Sequence, residues 1–402
     1  MIDAALSTDR PAVRLRPKAD ARRIRHGAPW AFADELVLDR RTRALPAGTL
    51  VRLEDAARAP LGTAALTPAS RIAVRMLDRD PEARIDGAWI AARLARAAAH
   101  RDRLYDAPYH RLVHAEADGL PGVVIDRFGD AAVLQPNAAW ADARAEAFAD
   151  ALRSMGVAHV YLNAGGRARG PEGLDDASRW LRGGIEGPIA VPMNGATYMA
   201  DLAGGQKTGL FYDQRPNHAL AARLAGRGRV LDVFSHVGGF GLAALAAGAA
   251  HATCVDGSET ALALAAEGAD RMGCAARLTT RRADAFDALA ALADEGARYD
   301  LVVADPPAFA PSKQALEKGL RAYERVARLA APLVAPGGDL VLCSCSHAAT
   351  LDKFRAASLR GIGRAGRSVQ IVATGFAGPD HPTHPMLAES GYLKALFLRC
   401  LD

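Results

Sequence analysis

Two segments in the carboxyl-terminal half join apolar strands to residues that can do chemistry. Leu301–Ala304 is an apolar run that ends at Asp305, with two prolines after it, and Leu340–Ser344 is a second run that ends at Cys345. Because open parallel sheets bind ligands beyond the carboxyl ends of their strands, we expect Asp305 and Cys345 to face one crevice. A carboxylate and a thiol in that position suggest covalent chemistry on a base.

Other cysteines and histidines in the chain give weaker signals. Cys343 lies deeper in the apolar run than Cys345, so a small buried side chain is its better interpretation. Five cysteines, odd in number and scattered, do not form a disulfide framework. His110 and His114 have the spacing of two metal ligands on a helix, but no third ligand is near them in the sequence. We therefore favour solvated histidines and predict no metal site.

The elements around these residues alternate between apolar strands and alanine-rich helical stretches. This alternation predicts a doubly wound α/β sheet. The segment between the last two predicted strands holds three prolines and no convincing helix, so the final strand should return antiparallel. The predicted strands are 229–234, 252–256, 278–280, 301–304, 340–344, 369–374 and 392–399.

Acidic residues stand at the ends of the first three of these strands. Asp232 lies in the first strand, Asp256 ends the second 24 positions later, and Asp284 follows the third. Asp256 has the spacing of a carboxylate that binds a ribose diol, and Asp284 is placed to reach an adenine amino group. Taken singly, each acid is better explained as a helix cap or a solvated residue. Together with Asp305 they indicate a nucleoside cofactor.

Length and composition bound the architecture. A chain of 402 residues is too long for one ordinary core, so two or three domains are expected. We predict a β-rich domain at 1–77, a mixed α+β domain at 78–195 and the sheet domain at 196–402. No apolar run approaches the roughly 18 residues of a membrane span, and the first residues do not resemble a signal peptide. A cytoplasmic protein without a membrane partner is therefore expected.

Within the middle region we predict two helices, a strand and a linker. The first helix runs from about Trp89 to Tyr105, and the strand from Gly122 to Asp126. The glycine-rich stretch 165–187 reads as a loop and linker. The second predicted helix carries one stripe of residues at a spacing of four: Trp140, Arg144, Phe148 and Leu152.

Basic residues cluster near the amino terminus. Between Arg10 and Arg25 there are seven basic residues and one acid, although the net charge of the whole chain is only +5. The cluster is either a solvated face or a patch that contacts the phosphates of a nucleic acid. The candidate RNA-binding residues are Arg14, Lys18, Arg22, Arg23 and Arg25.

These motifs resemble the class I S-adenosylmethionine-dependent methyltransferases. More closely, the chain resembles the ribosomal RNA large-subunit cytosine-C5 methyltransferase family, whose members carry an amino-terminal PUA domain that binds RNA. The resemblance covers nearly the whole chain, and Asp-Gln-Arg and Ser-Cys-Ser are its specific motifs. Besides the strand ends, the matching segments are Arg22–Phe32, Glu116–Arg127, Lys207–Arg215, Ser344–His347 and Asp380–Pro382.

The resemblance implies a fold, a cofactor and a partner. The fold is a Rossmann-like methyltransferase sheet of seven strands with the last antiparallel, preceded by a β-rich PUA-like domain and an α+β middle domain. The cofactor is S-adenosylmethionine, and the partner is ribosomal RNA or a ribosomal particle. Asp256 would bind the ribose, Asp284 and Ala285 the adenine, and Lys207 and Arg215 the methionine carboxylate. The other residues implied at the cofactor are Asp232, Phe234, Ser235, Gly238, Phe240 and Asp305.

The implied chemistry needs a thiol, because C5 of cytosine is a poor nucleophile. Addition of the Cys345 thiolate at C6 would let C5 attack the sulfonium methyl group, and Asp305 would bind the edge of the base. A free thiol has a pKa of about 8.5, so a cation or a helix amino terminus would have to stabilise the thiolate. Many related enzymes carry a second cysteine just after the proline of the Asp-Pro turn, where this chain has Pro307 and Ala308. The base that removes the C5 proton is not identified.

Two alternatives stay open at this point. The Asp-Pro-Pro segment would also suit an RNA nitrogen methyltransferase, against which Cys345 argues. A non-catalytic RNA-binding assembly factor would use only the PUA-like domain, and the set of acids argues against it. The sequence also leaves three questions open. They are which nucleotide is methylated, whether the substrate is naked RNA or an assembled particle, and whether the protein is a monomer or a homodimer.

Overall fold

The computed structural model describes residues 10–166, 168–204 and 209–402. They form two compact units, of which the first holds the described residues up to Glu186 together with Pro382–Ala388. The second unit holds Gly187–His381 and Glu389–Asp402 as far as they are described. In the described part of the chain, no helix has the length and apolar character needed to cross a membrane.

The first unit is built from two sheets with a few helices. Its strands and helices are, in chain order, β1 (Ala12–Leu15), α1 (Ala21–Arg25), β2 (Trp30–Ala31), β3 (Leu36–Val37), α2 (Arg40–Arg43), β4 (Thr49–Glu54), β5 (Pro60–Leu66), β6 (Val74–Asp78), α3 (Gly87–Arg101), β7 (Tyr109–His114), β8 (Val123–Phe128), β9 (Ala131–Pro136), α4 (Ala139–Asp142), α5 (Ala145–Ser154), β10 (His159–Leu162) and β11 (Arg179–Arg182). One sheet has the order β2-β6-β5-β4-β1-β3 and the other β11-β10-β9-β8-β7. The predicted β-rich start and mixed middle region are therefore both present.

An ion-pair network joins the two sheets of this unit. Arg75 of β6 pairs with Glu116 at 3.2 Å and with Glu172 at 3.0 Å. Trp30 donates its indole N–H to the same Glu116 carboxylate. Glu116 and Glu172 lie in turns that follow β7 and β10 of the second sheet, so donors from the first sheet fix the packing of the two. The loss of one partner would leave a buried charge unpaired.

Three predictions for the middle region are wrong in detail. The second predicted helix is broken into α4 and α5, because Arg144 has extended φ and sends its guanidinium to the carbonyls of Ile85 and Trp140. His110 and His114 lie on strand β7 rather than on a helix, and His110 is buried against the ring of Tyr105 instead of solvated. The glycine-rich stretch is not only a linker, since β11 within it pairs antiparallel with β10.

The second unit is one large sheet with helices and a small hairpin. Its elements are β12 (Ile189–Met193), β13 (Ala196–Ala200), α6 (Arg215–Ala225), β14 (Arg229–Val233), α7 (Gly239–Ala246), β15 (His251–Asp256), α8 (Glu259–Arg271), β16 (Leu278–Arg282), α9 (Ala285–Asp294), β17 (Tyr299–Ala304), α10 (Leu316–Ala330), β18 (Val334–Ser344), α11 (Leu351–Arg364), β19 (Val369–Gly375) and β20 (Lys394–Cys400). β12 and β13 form the hairpin, and the sheet has the order β16-β15-β14-β17-β18-β20-β19.

This sheet confirms the predicted seven strands and the antiparallel return. β14 to β18 are parallel to their neighbours, and β20 runs antiparallel to both β18 and β19. A parallel return would need a crossover, usually a helix, and between β19 and β20 only the 3₁₀ turn Ala388–Ser390 is present. The central strands β14 and β17 are buried on both faces, as parallel strands between two helical layers must be.

The parallel register brings the predicted functional residues to one edge. Asp232 lies opposite Cys254 on one side and Val303 on the other, and Ala304 lies opposite Leu342. Read across the carboxyl ends of the strands from β16 to β18, the order is Asp284, Asp256, Phe234, Asp305 and Cys345.

Candidate active site

A strained loop connects β14 to α7 at the centre of this edge. Phe234 has φ of 62° and His236 has φ of 50°, a region that side chains with a Cβ rarely adopt, and Gly238 has φ of 80°. Strain of this kind persists only where surrounding contacts enforce it, and it is concentrated at functional sites.

Two carboxylates enforce the loop's shape. Asp232 Oδ2 accepts the backbone N–H groups of Phe240 at 3.1 Å and Gly241 at 2.8 Å, which fixes the first turn of α7. Asp256 Oδ2 accepts the N–H of His236 at 2.8 Å, and its Oδ1 accepts the N–H of Ser258. The loop is thereby tied to the ends of both β14 and β15.

Asp284 also binds backbone amides. It is the N-cap of α9 and accepts the N–H groups of Phe286 and Asp287, with Ala285 buried beside it as the first residue of the helix. All three strand-end acids therefore act as caps or loop anchors, the interpretation that the sequence favoured for each acid alone. Each carboxylate oxygen has a second lone pair, so this role leaves acceptors for a ligand.

Two buried side chains, Asp232 and His218, have polar atoms without hydrogen-bond partners among the described residues, and these atoms show whether the site fits a cofactor. Asp232 is fully buried, and its Oδ1 has no hydrogen-bond partner among the described residues. Burial raises the pKa of Asp232 to about 7, although the amides of Gly241 and Phe240 oppose the shift. His218 Nδ1 also has no partner in the described part of the chain. An unsatisfied buried carboxylate fits a cationic ligand group, such as the ammonium group of S-adenosylmethionine.

The Asp-Gln-Arg motif lies beside this loop. It forms a 3₁₀ turn, Tyr212–Gln214, that leads into α6, and Arg215 is the first residue of that helix. The guanidinium of Arg215 lies 6.0 Å from the ring centroid of Tyr212, and the ring of Phe211 lies 5.0 Å from that of His236. Lys207, which we predicted to accompany Arg215, lies outside the described residues.

At the other end of the edge, Asp305 and Cys345 follow neighbouring strands. The N–H of Asp305 donates to Val233 O at 3.2 Å, and Cys345 Sγ lies 3.9 Å from Pro306 O. Cys345 is partly exposed, whereas the other four cysteines are buried. Burial raises the pKa of the Cys343 thiol well above its ordinary value, so Cys343 is the small buried side chain that was predicted.

A buried hydroxyl network holds the Cys345 turn. Ser344 Oγ donates to Tyr323 OH at 2.9 Å, and the Tyr323 and Ser346 hydroxyls are 2.7 Å apart. Ser346 Oγ accepts the N–H of Ala310 at 3.0 Å, which ties the turn to the segment after Asp305. The two serines of Ser-Cys-Ser therefore anchor the turn. Tyr323 was missed in the sequence because it lies on an amphipathic helix and nothing local sets it apart.

Aromatic rings connect the cofactor loop to this network. Phe234 packs against Phe286 and Phe309, with ring centroids 6.4 and 6.3 Å apart, and Phe309 packs against Tyr323 at 5.0 Å. One continuous cluster thus runs from the loop after β14 to the residues that hold Cys345. The packed rings therefore connect the loop after β14 to the turn that carries Cys345.

The predicted RNA-binding residues lie in the first unit and differ in their surroundings. Lys18 and Arg22 are exposed, and Arg14 is half-buried on β1. Arg23 pairs with Glu35 at 2.9 Å, and Arg25 pairs with Asp55 at 2.5 Å.

Comparison with known proteins identifies the family. The profile of the S-adenosylmethionine-dependent methyltransferases matches residues 145–399. The chain belongs to this family. A PUA-like domain profile matches residues 13–79, which covers the six-stranded sheet up to the end of β6. The methyltransferase uses S-adenosylmethionine, in agreement with the cofactor expected from the strand-end acids.

Individual relatives are similar over nearly the whole chain. A ribosomal RNA large subunit methyltransferase I of Pseudoalteromonas atlantica is 33% identical, with 97% of this chain and 99% of that protein covered. A ribosomal RNA large subunit methyltransferase of Deinococcus radiodurans is 34% identical, with 98% and 99% covered. A solved structure of a candidate S-adenosylmethionine-dependent methyltransferase from Streptococcus mutans has the same fold, with a TM-score of 0.80, 19% identity, and 97% and 100% of the two chains covered.

The raised pKa of Asp232 predicts a pH dependence of stability. Because its folded-state pKa of about 7 exceeds the ordinary 3.8, the folded protein binds more protons between these values, and the contribution of Asp232 to stability falls as the pH rises through this window. Asp232→Asn cannot titrate. Relative to the wild type, its free energy of unfolding without cofactor should rise with pH by up to about 1.4 kcal/mol per unit inside the window.

Urea unfolding at several pH values between 5 and 8 measures this difference. The exposed Asp352→Asn on α11 serves as the control and should show a constant difference from the wild type. A constant difference for Asp232→Asn as well would show that the carboxyl group titrates normally.

Proposed function

We propose that this methyltransferase transfers the methyl group of S-adenosylmethionine to C5 of a cytosine in large-subunit ribosomal RNA, through a covalent bond between Cys345 and C6. The observation that carries the proposal is the position of Cys345. It is the partly exposed thiol among five, it ends β18 beside the Asp305 turn, and both neighbouring serines are engaged in holding it. A methyltransferase whose substrate attacks the methyl group through a nitrogen or oxygen atom does not need such a thiol.

An RNA substrate is supported by the first unit and by the relatives. The PUA-like match covers residues 13–79, and the relatives that cover nearly all of this chain are named as ribosomal RNA large subunit methyltransferases. We assign the same substrate class to this chain. A ribosomal RNA substrate also implies action in the cytoplasm, where ribosomes assemble.

We propose that the cofactor binds along the carboxyl ends of β16, β15 and β14. Asp284 and Ala285 lie at the adenine, Asp256 at the ribose and Arg215, together with Lys207, at the methionine carboxylate. Asp232 lies at the ammonium group, where its unsatisfied oxygen gains a charged donor. The strained loop, with Phe234, Ser235, Gly238 and Phe240, surrounds the cofactor in this assignment, and of these four residues Phe234 is the partly exposed one. When bound, S-adenosylmethionine supplies an electrophilic methyl group on a sulfonium.

The chain's own residues then perform the chemistry on the base. The Cys345 thiolate adds to C6, and the electron pair of the C5–C6 bond moves to C5, which becomes nucleophilic and takes the methyl group. Asp305 binds the edge of the ring and favours the flow of electrons into it. Transfer of the C5 proton to a base and expulsion of the sulfur then restore the aromatic ring and regenerate the Cys345 thiolate.

A mechanism-based substrate tests the covalent step. RNA that carries 5-fluorocytosine cannot lose its C5 substituent as a proton, so the enzyme should remain attached after methyl transfer. We expect a denaturant-resistant protein–RNA adduct with the wild type and with Cys343→Ala, and none with Cys345→Ala. Electrophoresis under denaturing conditions and mass spectrometry of the adduct are the measurements.

Cofactor binding by all three proteins is the control for folding. Methylation of cytosine carbon by Cys345→Ala would contradict the thiol assignment. Methylation of nitrogen alone by the wild type would instead favour the nitrogen methyltransferase, and binding of RNA without cofactor turnover would favour an assembly factor.

The exposed basic residues give a second test, of RNA binding. We propose that Lys18 and Arg22 contact phosphates, because Arg23 and Arg25 are already engaged with carboxylates. Replacing both by alanine should reduce the slope of log affinity against log salt by about 0.7 to 0.9 per lost contact. The matched control is Arg103→Ala, an exposed arginine outside the patch. An unchanged slope in the double variant would mean that the patch is only solvated.

A further inference from the structure

Lys394 is a buried lysine at the back of the Cys345 turn. It is the first residue of β20 and lies opposite Ser344 in the antiparallel register with β18. Its side chain is directed to the turn, where Nζ donates to Ser346 O at 2.7 Å and to Ala349 O at 2.8 Å. These two carbonyls belong to the segment that begins directly after Cys345. The ammonium group therefore holds the backbone of the turn, in addition to the hydroxyl network that holds its serine side chains.

The charge on this lysine needs an explanation. Lys394 is only 4% exposed, and the residues that follow it in β20, Ala395–Leu398, are buried and apolar. Among the described residues, no carboxylate lies within ion-pair distance of Nζ. Burial of an ammonium group without a carboxylate is costly, and an apolar residue would fill the position at less cost. Groups buried at such a cost are concentrated at functional sites.

Titratable groups from three strands and one helix lie around Cys345. β17 contributes Asp305 at its end, α10 contributes Tyr323, β18 contributes Cys343 and β20 contributes Lys394, while the exposed His347 follows two residues later. The charge of Asp305 contributes to raising the pKa of Cys343, two positions before Cys345. Tyr323 and Cys343 are neutral, because burial raises the pKa of each.

Lys394 is thus the buried cation of the set. Burial lowers the pKa of Lys394 to about 8, and the charge of Cys345 opposes that shift. The ammonium form still predominates at neutral pH. The coupling is mutual, so a charged Lys394 must favour the thiolate form of Cys345 to the same extent that the thiolate favours the ammonium.

We propose that Lys394 is the positioning residue of Cys345: its buried ammonium fixes the turn after the thiol and stabilises the thiolate that adds to the base. The proposal rests on the proposed function in taking the thiolate as the reactive form. It supplies a buried cation of the kind that a reactive cysteine needs, whereas the nearby His347 is exposed. Lys394 itself touches neither the base nor the cofactor in this role.

Alkylation of the full chain tests the proposal without RNA. Iodoacetamide should modify Cys345 first, since the other cysteines are buried, and peptide mass spectrometry follows it as a function of pH. In Lys394→Met the midpoint of the pH profile should rise by about one unit, so that alkylation at pH 7 slows about tenfold. Lys394→Gln keeps a hydrogen-bond donor but no charge, and its midpoint should rise as in Lys394→Met. Lys394→Arg keeps the charge and should have the wild-type midpoint.

Arg399→Met is the matched control. Arg399 is a cation on the same strand, but it lies at the other end and pairs with Asp339 at 3.3 Å. Its removal should leave the midpoint for Cys345 unchanged. A wild-type midpoint in folded Lys394→Met or Lys394→Gln would overturn the proposal, and so would failure of both variants to fold, which would make the lysine structural.

The alkylation and adduct experiments together distinguish failure of this proposal from failure of the proposed function. If the midpoint shifts as expected but the wild type forms no adduct with 5-fluorocytosine RNA, Lys394 acts on Cys345 and the reaction assigned to that thiol is wrong. If the adduct forms and the midpoint does not shift, the reaction stands and Lys394 is not its positioning residue.

Discussion

β17 and β18 lie side by side in the large sheet, and their parallel register sets Ala304 opposite Leu342. The position of Cys345 beside Asp305 depends on this pairing. Both strands end at the same edge, so the turn that carries Asp305 and the turn that carries Cys345 come into contact, with Cys345 Sγ 3.9 Å from Pro306 O. A shift of one residue in the register would turn every side chain of the shifted strand to the other face of the sheet.

Around this pairing, polar groups that would be costly in a core are used to fix loops. Asp232 and Asp256 hold the strained loop after β14 through backbone amides. Tyr323 and Lys394 hold the turn after β18, the first through serine hydroxyls and the second through backbone carbonyls. Buried networks of this kind are stabilising only when their members are satisfied. The exception, the unsatisfied oxygen of Asp232, lies where a cationic ligand group would satisfy it.

The sequence predicted the sheet well because its strands are long, apolar and separated by regular helices. The antiparallel last strand followed from a local property, the absence of a helix before it. The middle region was predicted less well: Arg144 ends α4 through bonds to carbonyls, and His110 and His114 lie on a strand. Helical spacing alone could not reveal either fact, because both depend on contacts with other segments.

The site shows the same division. The strand-end acids and Cys345 are visible in the sequence because each ends an apolar run. Tyr323 and Lys394 become visible only when distant strands and helices pack together, since Lys394 lies 49 positions after Cys345 in the chain. The sequence does contain one local indication for Lys394, a single lysine inside an apolar strand. Its role follows only when the neighbouring strand is known.

The central claim is that this chain methylates cytosine carbon through Cys345. Mass spectrometry of nucleosides from purified large-subunit RNA measures this most directly, in cells that lack the gene and in the same cells supplied with the wild type or with Cys345→Ser. The account predicts one 5-methylcytidine that is lost with the gene, regained with the wild type and not regained with the variant. Restoration by Cys345→Ser, or recovery of a nitrogen-methylated nucleoside in place of 5-methylcytidine, would contradict it.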